Sequence, residues 1–166
     1  KDPDYLKLQQ EERHATAIGG FAPAIEAEIS KVEAADLMIW QFPLWWFGLP
    51  AILKGWVDRV FAMGRTYGQG HVYDTGRFVG KRALLSLTTR GPEAAYRPDG
   101  FNGDLGAMLK PIHRGILNFT GFAVLAPQVV YGPVRADDGQ RAQWLAAWSR
   151  RVEAIAREVP IEVGRY

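Results

Sequence analysis

DLMIWQFPLWWFGLPAILKGWVDRVFAMG, residues 36–64, decides how this chain folds. Leu37 to Phe42 is an apolar run of strand length, bounded by Asp36 and Pro43. The turn after it holds Pro43, Gly48 and Pro50, and it also carries Leu44, Trp45, Trp46 and Phe47. Pro50 then opens a helix whose Ile52, Leu53, Trp56, Val57, Val60 and Phe61 form a broad apolar face. In an open α/β sheet, ligands bind at the C-terminal ends of the strands, where this turn lies. Loops are poor places to bury indole rings, so the three large aromatics point to something flat that meets them. On composition alone they serve equally well as a core plug or a dimer surface.

Outward from that stretch, elements alternate. Residues 1–21 read as an irregular lead-in ending at Gly19 and Gly20. PAIEAEISKVEAA, residues 23–35, reads as a helix, with Pro23 in its first turn and Ile25, Ile29 and Val32 at helical spacing. Residues 64–81 form a glycine-rich loop of a length usually reserved for function or mobility. Arg82 to Thr88 is a nearly continuous apolar strand, as buried parallel strands are. A Gly- and Pro-rich loop follows, from Thr89 to Asn102. Residues 103–121 read as a helix interrupted or restarted at Pro111. Ala123 to Tyr131 is a third strand kinked at Pro127, and Asp137 to Arg157 a last helix with Trp144, Leu145, Trp148, Val152 and Ile155 facing inward. Strands and helices in this order imply one α/β domain, residues 1–166, with a parallel sheet and helices on both faces.

Composition excludes more than it selects. With 166 residues, 48% hydrophobic and 23% charged, the chain has the make-up of a soluble globular domain. It holds no apolar run of bilayer length. It has no cysteine, which removes disulfides and thiolate chemistry. The net charge of +2 is spread over interleaved acids and bases, with no stripe for nucleic acid. His14, His71 and His113 are scattered, without metal-ligand spacing. The chain has no nucleophile elbow, Walker loop or GxGxxG.

Four blocks in order, QFPLWWFGLPAILKGW (41–56), LLSLTTRG (84–91), GDLGAMLKPIHRGILNFTGF (103–122) and VYG (130–132) through Arg141, resemble the flavin-dependent NAD(P)H:quinone oxidoreductases of the DT-diaphorase type. The likeness covers roughly residues 20–155. It implies a flavodoxin-like doubly wound parallel sheet of five strands in the order 2-1-3-4-5, of which the three read here are the third, fourth and fifth. On that reading an N-terminal βαβ unit is absent from the sequence, and with it the loop that holds the flavin phosphates.

The resemblance also implies a site. Pro43, Leu44, Trp46 and Phe47 would lie along the flavin ring, and Thr88, Thr89, Arg90 and Gly91 would form a second loop around it. Tyr96 matches a tyrosine that hydrogen-bonds the flavin. Arg141 matches an arginine near the adenine end, with Leu145 one turn further on. Asp58 stands where the family has a glutamate facing the partner subunit's cofactor. Tyr67 and Phe119 match aromatics that reach the partner's site, with Trp46 and Phe47 as the flat substrate wall. The family departs from the chain twice. Gln69 replaces a second tyrosine, and Asn102 replaces a histidine. Asparagine does not titrate, so Asn102 holds a substrate oxygen and Tyr96, with water, donates the proton. His71 sits in the adjacent loop as a substitute donor. Read singly, Tyr96 is a loop tyrosine, Thr88 and Thr89 a polar strand end, Arg141 a solvated helix residue, Tyr67 a loop anchor and Phe119 a core residue.

The implied activity is two-electron, ping-pong transfer of a hydride from NAD(P)H through a flavin to a quinone-like acceptor. The implied cofactor is FAD, because Asp58 and Arg141 match the adenine end, with FMN as the alternative. A homodimer, a cytoplasmic location, and no nucleic-acid partner or membrane insertion complete the expectation. The rival readings are an ancillary regulatory flavoprotein subunit of a potassium efflux system and a flavodoxin-like electron carrier.

Overall fold

The structure is a computed structural model that describes residues 5–165. Strand β1, Leu37–Pro43, pairs in parallel with β2, Arg82–Thr89, in the register Leu37 to Arg82 through Pro43 to Thr88. The other side of β2 pairs in parallel first with β3, Ala123–Val124, and then with β4, Gln128–Tyr131. The third strand expected from sequence is therefore real but split in two. Pro127 lies in the break, where it has no N–H for the ladder.

Central β2 is buried on both faces, which is why its sequence reads as unbroken apolar residues. Ala83, Leu85 and Leu87 belong to the large core, packed with Ile29 of helix α2 (Pro23–Ala34), Val57 and Val60 of α3 (Ala51–Val60), and Leu109 of α4 (Leu105–Ile112). Leu84 points the other way, to a small cluster with Leu125 and Ile155, joined by Trp148 of helix α5, Asp138–Ala154. An aromatic knot of Trp40, Trp56 and Phe61, with edge-to-face centroids 5.8–6.0 Å apart, fixes α3 on β1.

Three local readings need correction. Residues 8–18 are not an irregular lead-in but helix α1, Leu8–Ile18, closed by Gly19 at φ 67°. It is polar on average, with few apolar residues, and polar groups hold it: Met63 N–H donates to Glu12 Oε2 (2.8 Å) and Thr16 Oγ1 donates to the Met63 carbonyl (3.2 Å). Burial pushes the Glu12 carboxyl above its ordinary pKa, and the Met63 N–H and Arg59 oppose that rise.

Pro111 does not break α4. The helix runs through it and widens into a π-turn, His113–Asn118, where His113 N–H is shared between the Leu109 and Lys110 carbonyls. Pro111 has no N–H to give to the Ala107 carbonyl, and the widened turn begins two residues later.

Of the positions expected to face inward on α5, Leu145 is 69% and Val152 39% exposed. The helix meets the sheet chiefly through Trp144 and Trp148, and a groove of about 490 Å³ remains beneath it.

Candidate functional site

The C-terminal ends of β1, β2 and β4 lie side by side, so the segments after Pro43, Thr89 and Tyr131 cluster at one end of the sheet. After β1, Gly48 N–H donates to the Trp45 carbonyl (2.9 Å), closing a four-residue turn. Its central residues, Trp46 and Phe47, have φ of 49° and 59°. Positive φ at both central positions is the type I′ pattern, which favours Asn-Gly. A side chain with a Cβ pays about 1–2 kcal/mol there. The loop is thus held in a costly conformation that presents aromatic rings outward: Trp46 is 97% exposed, Trp45 60% and Phe47 50%.

Between this tip and the next two segments lies a cleft of about 550 Å³, a volume suited to a small organic ligand. Pro43, Leu44, Trp45 and Trp46 line one side, Thr88, Thr89 and Arg90 the floor and rim, and Pro133 and Val134 the far side. Backbone bonds set the walls: Leu44 N–H to the Thr88 carbonyl and Gly132 N–H to the Thr89 carbonyl, both 2.8 Å. Thr89 Oγ1 donates to the Gly91 carbonyl (2.9 Å). Gly91 lets the Tyr96 ring close on the loop, since a Cβ there would sit 3.1 Å from that ring. Tyr96 is buried, with its ring 6.0 Å from that of Tyr131, whose phenol is pushed to higher pKa by burial and then by Glu93. Asn102 N–H donates to the Ala95 carbonyl (2.8 Å), which ties Asn102 to the turn that bears Tyr96.

Other expected site residues fall into two neighbouring places. Arg141 and Leu145 line the groove under α5, which shares Thr88 and Pro133 with the cleft. Arg141 is held by Asp138 (2.9 Å) and donates to the Pro133 carbonyl (3.4 Å). Asp58, Tyr67 and Phe119 line a separate pocket of about 460 Å³ beside Glu12 of α1. There Asp58 pairs with Lys54 (2.6 Å), and Phe119 meets Tyr67 and Tyr73 at centroid distances of 5.8 and 5.3 Å. Burial raises the Tyr67 phenol's pKa, and Gln9 Nε2 donates to its oxygen (3.4 Å). Gln69 takes φ 56° at the tip of this loop, and His71 Nδ1 sits 3.1 Å from the Thr75 carbonyl of its own loop. One end of the chain's sheet therefore gathers Pro43, Leu44, Trp46, Thr88, Thr89 and Arg90, with Phe47, Gly91 and Tyr96 adjoining, and leaves Asp58, Tyr67 and Phe119 elsewhere. Sequence reasoning named Trp45 only as one of the three loop aromatics, without a site role, and missed Pro133 and Val134 as lining residues. The Gly-Pro pair at 132–133 marked a turn there, but nothing in it marked a wall.

A family model described as flavodoxin-like fold matches residues 2–152. NAD(P)H dehydrogenase (quinone) 1 of Cavia porcellus is 45% identical over 97% of this chain, and ribosyldihydronicotinamide dehydrogenase (quinone) of Homo sapiens is 44% identical over 96%. The chain belongs to the flavodoxin-like NAD(P)H:quinone oxidoreductase family. It spans 58% of the guinea-pig protein and 69% of the human one. A crystal structure of a candidate quinone reductase from Klebsiella pneumoniae superposes with a TM-score of 0.91 at 41% identity, covering 95% of this chain and 64% of that one. Family membership agrees with the parallel sheet, with helices α3 and α4 on one face and α5 on the other.

The site can be tested for fit to a flavin, the cofactor the family resemblance implies. Its cleft has apolar, aromatic walls on one side and a strand-end backbone with two threonines on the other. An isoalloxazine has the same division, an apolar benzenoid edge and a polar pyrimidine edge. The residues present fit the ring.

Proposed function

We propose that the protein is a flavin-dependent NAD(P)H:quinone oxidoreductase, with a cytoplasmic location and a homodimeric assembly. The observation that carries this reading is the cleft in which a strained aromatic tip, Trp45 to Gly48, faces the threonine-lined end of β2. The family's members at 44–45% identity support it.

A bound flavin supplies the two-electron chemistry. The chain supplies position and charge. Trp46 and Phe47 form a flat wall on which nicotinamide and quinone rings rest in turn, so donor and acceptor share one slot and turnover is ping-pong. Fixing the ring planes in contact distance provides most of the rate. Backbone N–H groups of Arg90 and Gly91, just past the end of β2, and the Tyr96 hydroxyl meet charge as it develops and need no reorganisation to do so. Tyr96, backed by water, holds the proton that the acceptor takes up. Asn102, on the loop tied to the turn bearing Tyr96, hydrogen-bonds an acceptor oxygen and does not titrate. Arg141 and Leu145 hold the adenine end of FAD, with FMN as the alternative, and Asp58, Tyr67 and Phe119 serve the partner subunit's site. Two measurements test the reading: a flavin titration followed by quenching of tryptophan fluorescence, and initial rates over a grid of NAD(P)H and menadione concentrations. Saturable quenching with parallel double-reciprocal lines supports it. No quenching, or rates no higher than those of free flavin, would end it.

A further inference from the structure

The geometry points to Arg90 as a charge selector at this site, giving the protein a preference for flat acceptors that bear an anionic group. The inference rests on the cleft's proposed role and adds a substrate class to it.

Four arginines lie on the loops around this end of the sheet or beside it: Arg90, Arg97, Arg135 and Arg141. Arg135, in the exit loop of β4, is exposed and has no carboxylate partner among the described residues, but it does not line the cleft. Arg97 pairs with Glu93 (3.3 Å) and Arg141 with Asp138 (2.9 Å). Arg90 is exposed and has no carboxylate partner among the described residues. It also lines the cleft, and it is the one charged residue that does so. The remaining walls are rings, aliphatic side chains and threonines, and none bears negative charge. A positive rim opposite an aromatic wall recognises a planar apolar body with a negative edge. An acid at the rim would have neutralised Arg90 internally, as Glu93 and Asp138 do for Arg97 and Arg141.

Position makes the charge directional. Arg90 follows Thr89, whose carbonyl accepts from Gly132 N–H and whose side chain is tied to Gly91. The backbone that bears the guanidinium is pinned on both sides, while the guanidinium itself remains in solvent at the mouth. An exposed cation of this kind contributes a modest, salt-sensitive attraction, not deep binding. The expected selectivity is about one-and-a-half- to fivefold between acceptors that differ only in charge.

The test uses the full protein loaded with FAD and two probes of matched shape, anthraquinone sulfonate and its neutral hydroxymethyl counterpart. Dissociation constants are read from quenching of tryptophan fluorescence at low and high salt. The inference requires wild type to bind the sulfonate more tightly by about that factor at low salt, with the preference shrinking at high salt. It also requires Arg90→Gln to abolish the preference and Arg90→Lys to retain part of it. A preference that survives in Arg90→Gln overturns the assignment, as does equal binding of both probes by wild type. Turnover of menadione in the same preparations reads the proposed function separately. Turnover without charge preference sinks the selector alone, and binding preference without turnover sinks the reductase reading alone. Neither probe binding to wild type would sink the selector, and absence of turnover there would sink the reductase reading with it.

Discussion

Trp46→Asn should make the protein more stable and its cleft less effective. At φ 49° a tryptophan pays about 1–2 kcal/mol for its Cβ, whereas asparagine tolerates this conformation through local hydrogen bonding. Trp46 is 97% exposed, so its removal forfeits almost no burial. The net expectation is a gain of about 1 kcal/mol, or roughly 2–4 °C in Tm for a domain of this size. On the other side, a stacking ring is worth about 0.5–1.5 kcal/mol beyond its area, so flavin or quinone affinity should fall about two- to twelvefold. Urea unfolding with an unchanged slope gives the first quantity, and a fluorescence titration with flavin and with menadione gives the second. A stabilised variant that binds both as well as wild type would show that the strain serves nothing in this cleft. A destabilised variant would show that the turn is not strained.

Three further expectations follow from other parts of the chain. Burial lowers the His113 imidazole to about 4, below its ordinary 6.5, so the unfolded chain binds the extra proton between those values. Its contribution, of order 3 kcal/mol, is complete above pH 6.5 and is lost as pH falls towards 4; urea midpoints of His113→Gln should vary less with pH in that window than those of wild type. Asp104 caps α4 by accepting from Gly106 and Ala107 N–H groups (both 3.1 Å), so Asp104→Ala should cost about 1 kcal/mol in the same assay, and no loss would mean the cap is idle. Tyr96→Phe keeps the buried ring and removes the hydroxyl. Turnover should drop about tenfold or more with stability nearly unchanged, and an unaltered rate would remove Tyr96 from the chemistry.

Legibility in the sequence followed burial. The strands at 37 and 82 and the helices at 23 and 51 were readable because their apolar residues face a dense core, where one pattern fits one structure. Helix α1 was not, since it is polar on average and Glu12 and Thr16 hold it through bonds to Met63, 51 and 47 residues away, which no local pattern announces. Pro111 misled because the chain keeps helical backbone through it, lacking one bond, and widens only at His113. In the site, Pro43, Leu44 and Trp46 after β1 and Thr88, Thr89 and Arg90 at the end of β2 line one cleft. Val134 joined them only through the fold, because β4 ends beside β2 and its exit loop forms the far wall. The positive φ of Trp46 and Phe47 was invisible too: nothing in the letters WWF announces a turn that usually demands Asn-Gly.

The most direct test of the central claim is an anaerobic absorption spectrum of the purified protein with FAD, before and after NADH. The account predicts flavin bands that stay with the protein on gel filtration and bleach when NADH is added. Bands that stay bound but remain oxidised with NADH, and again with NADPH, would contradict it, and so would the absence of bound flavin.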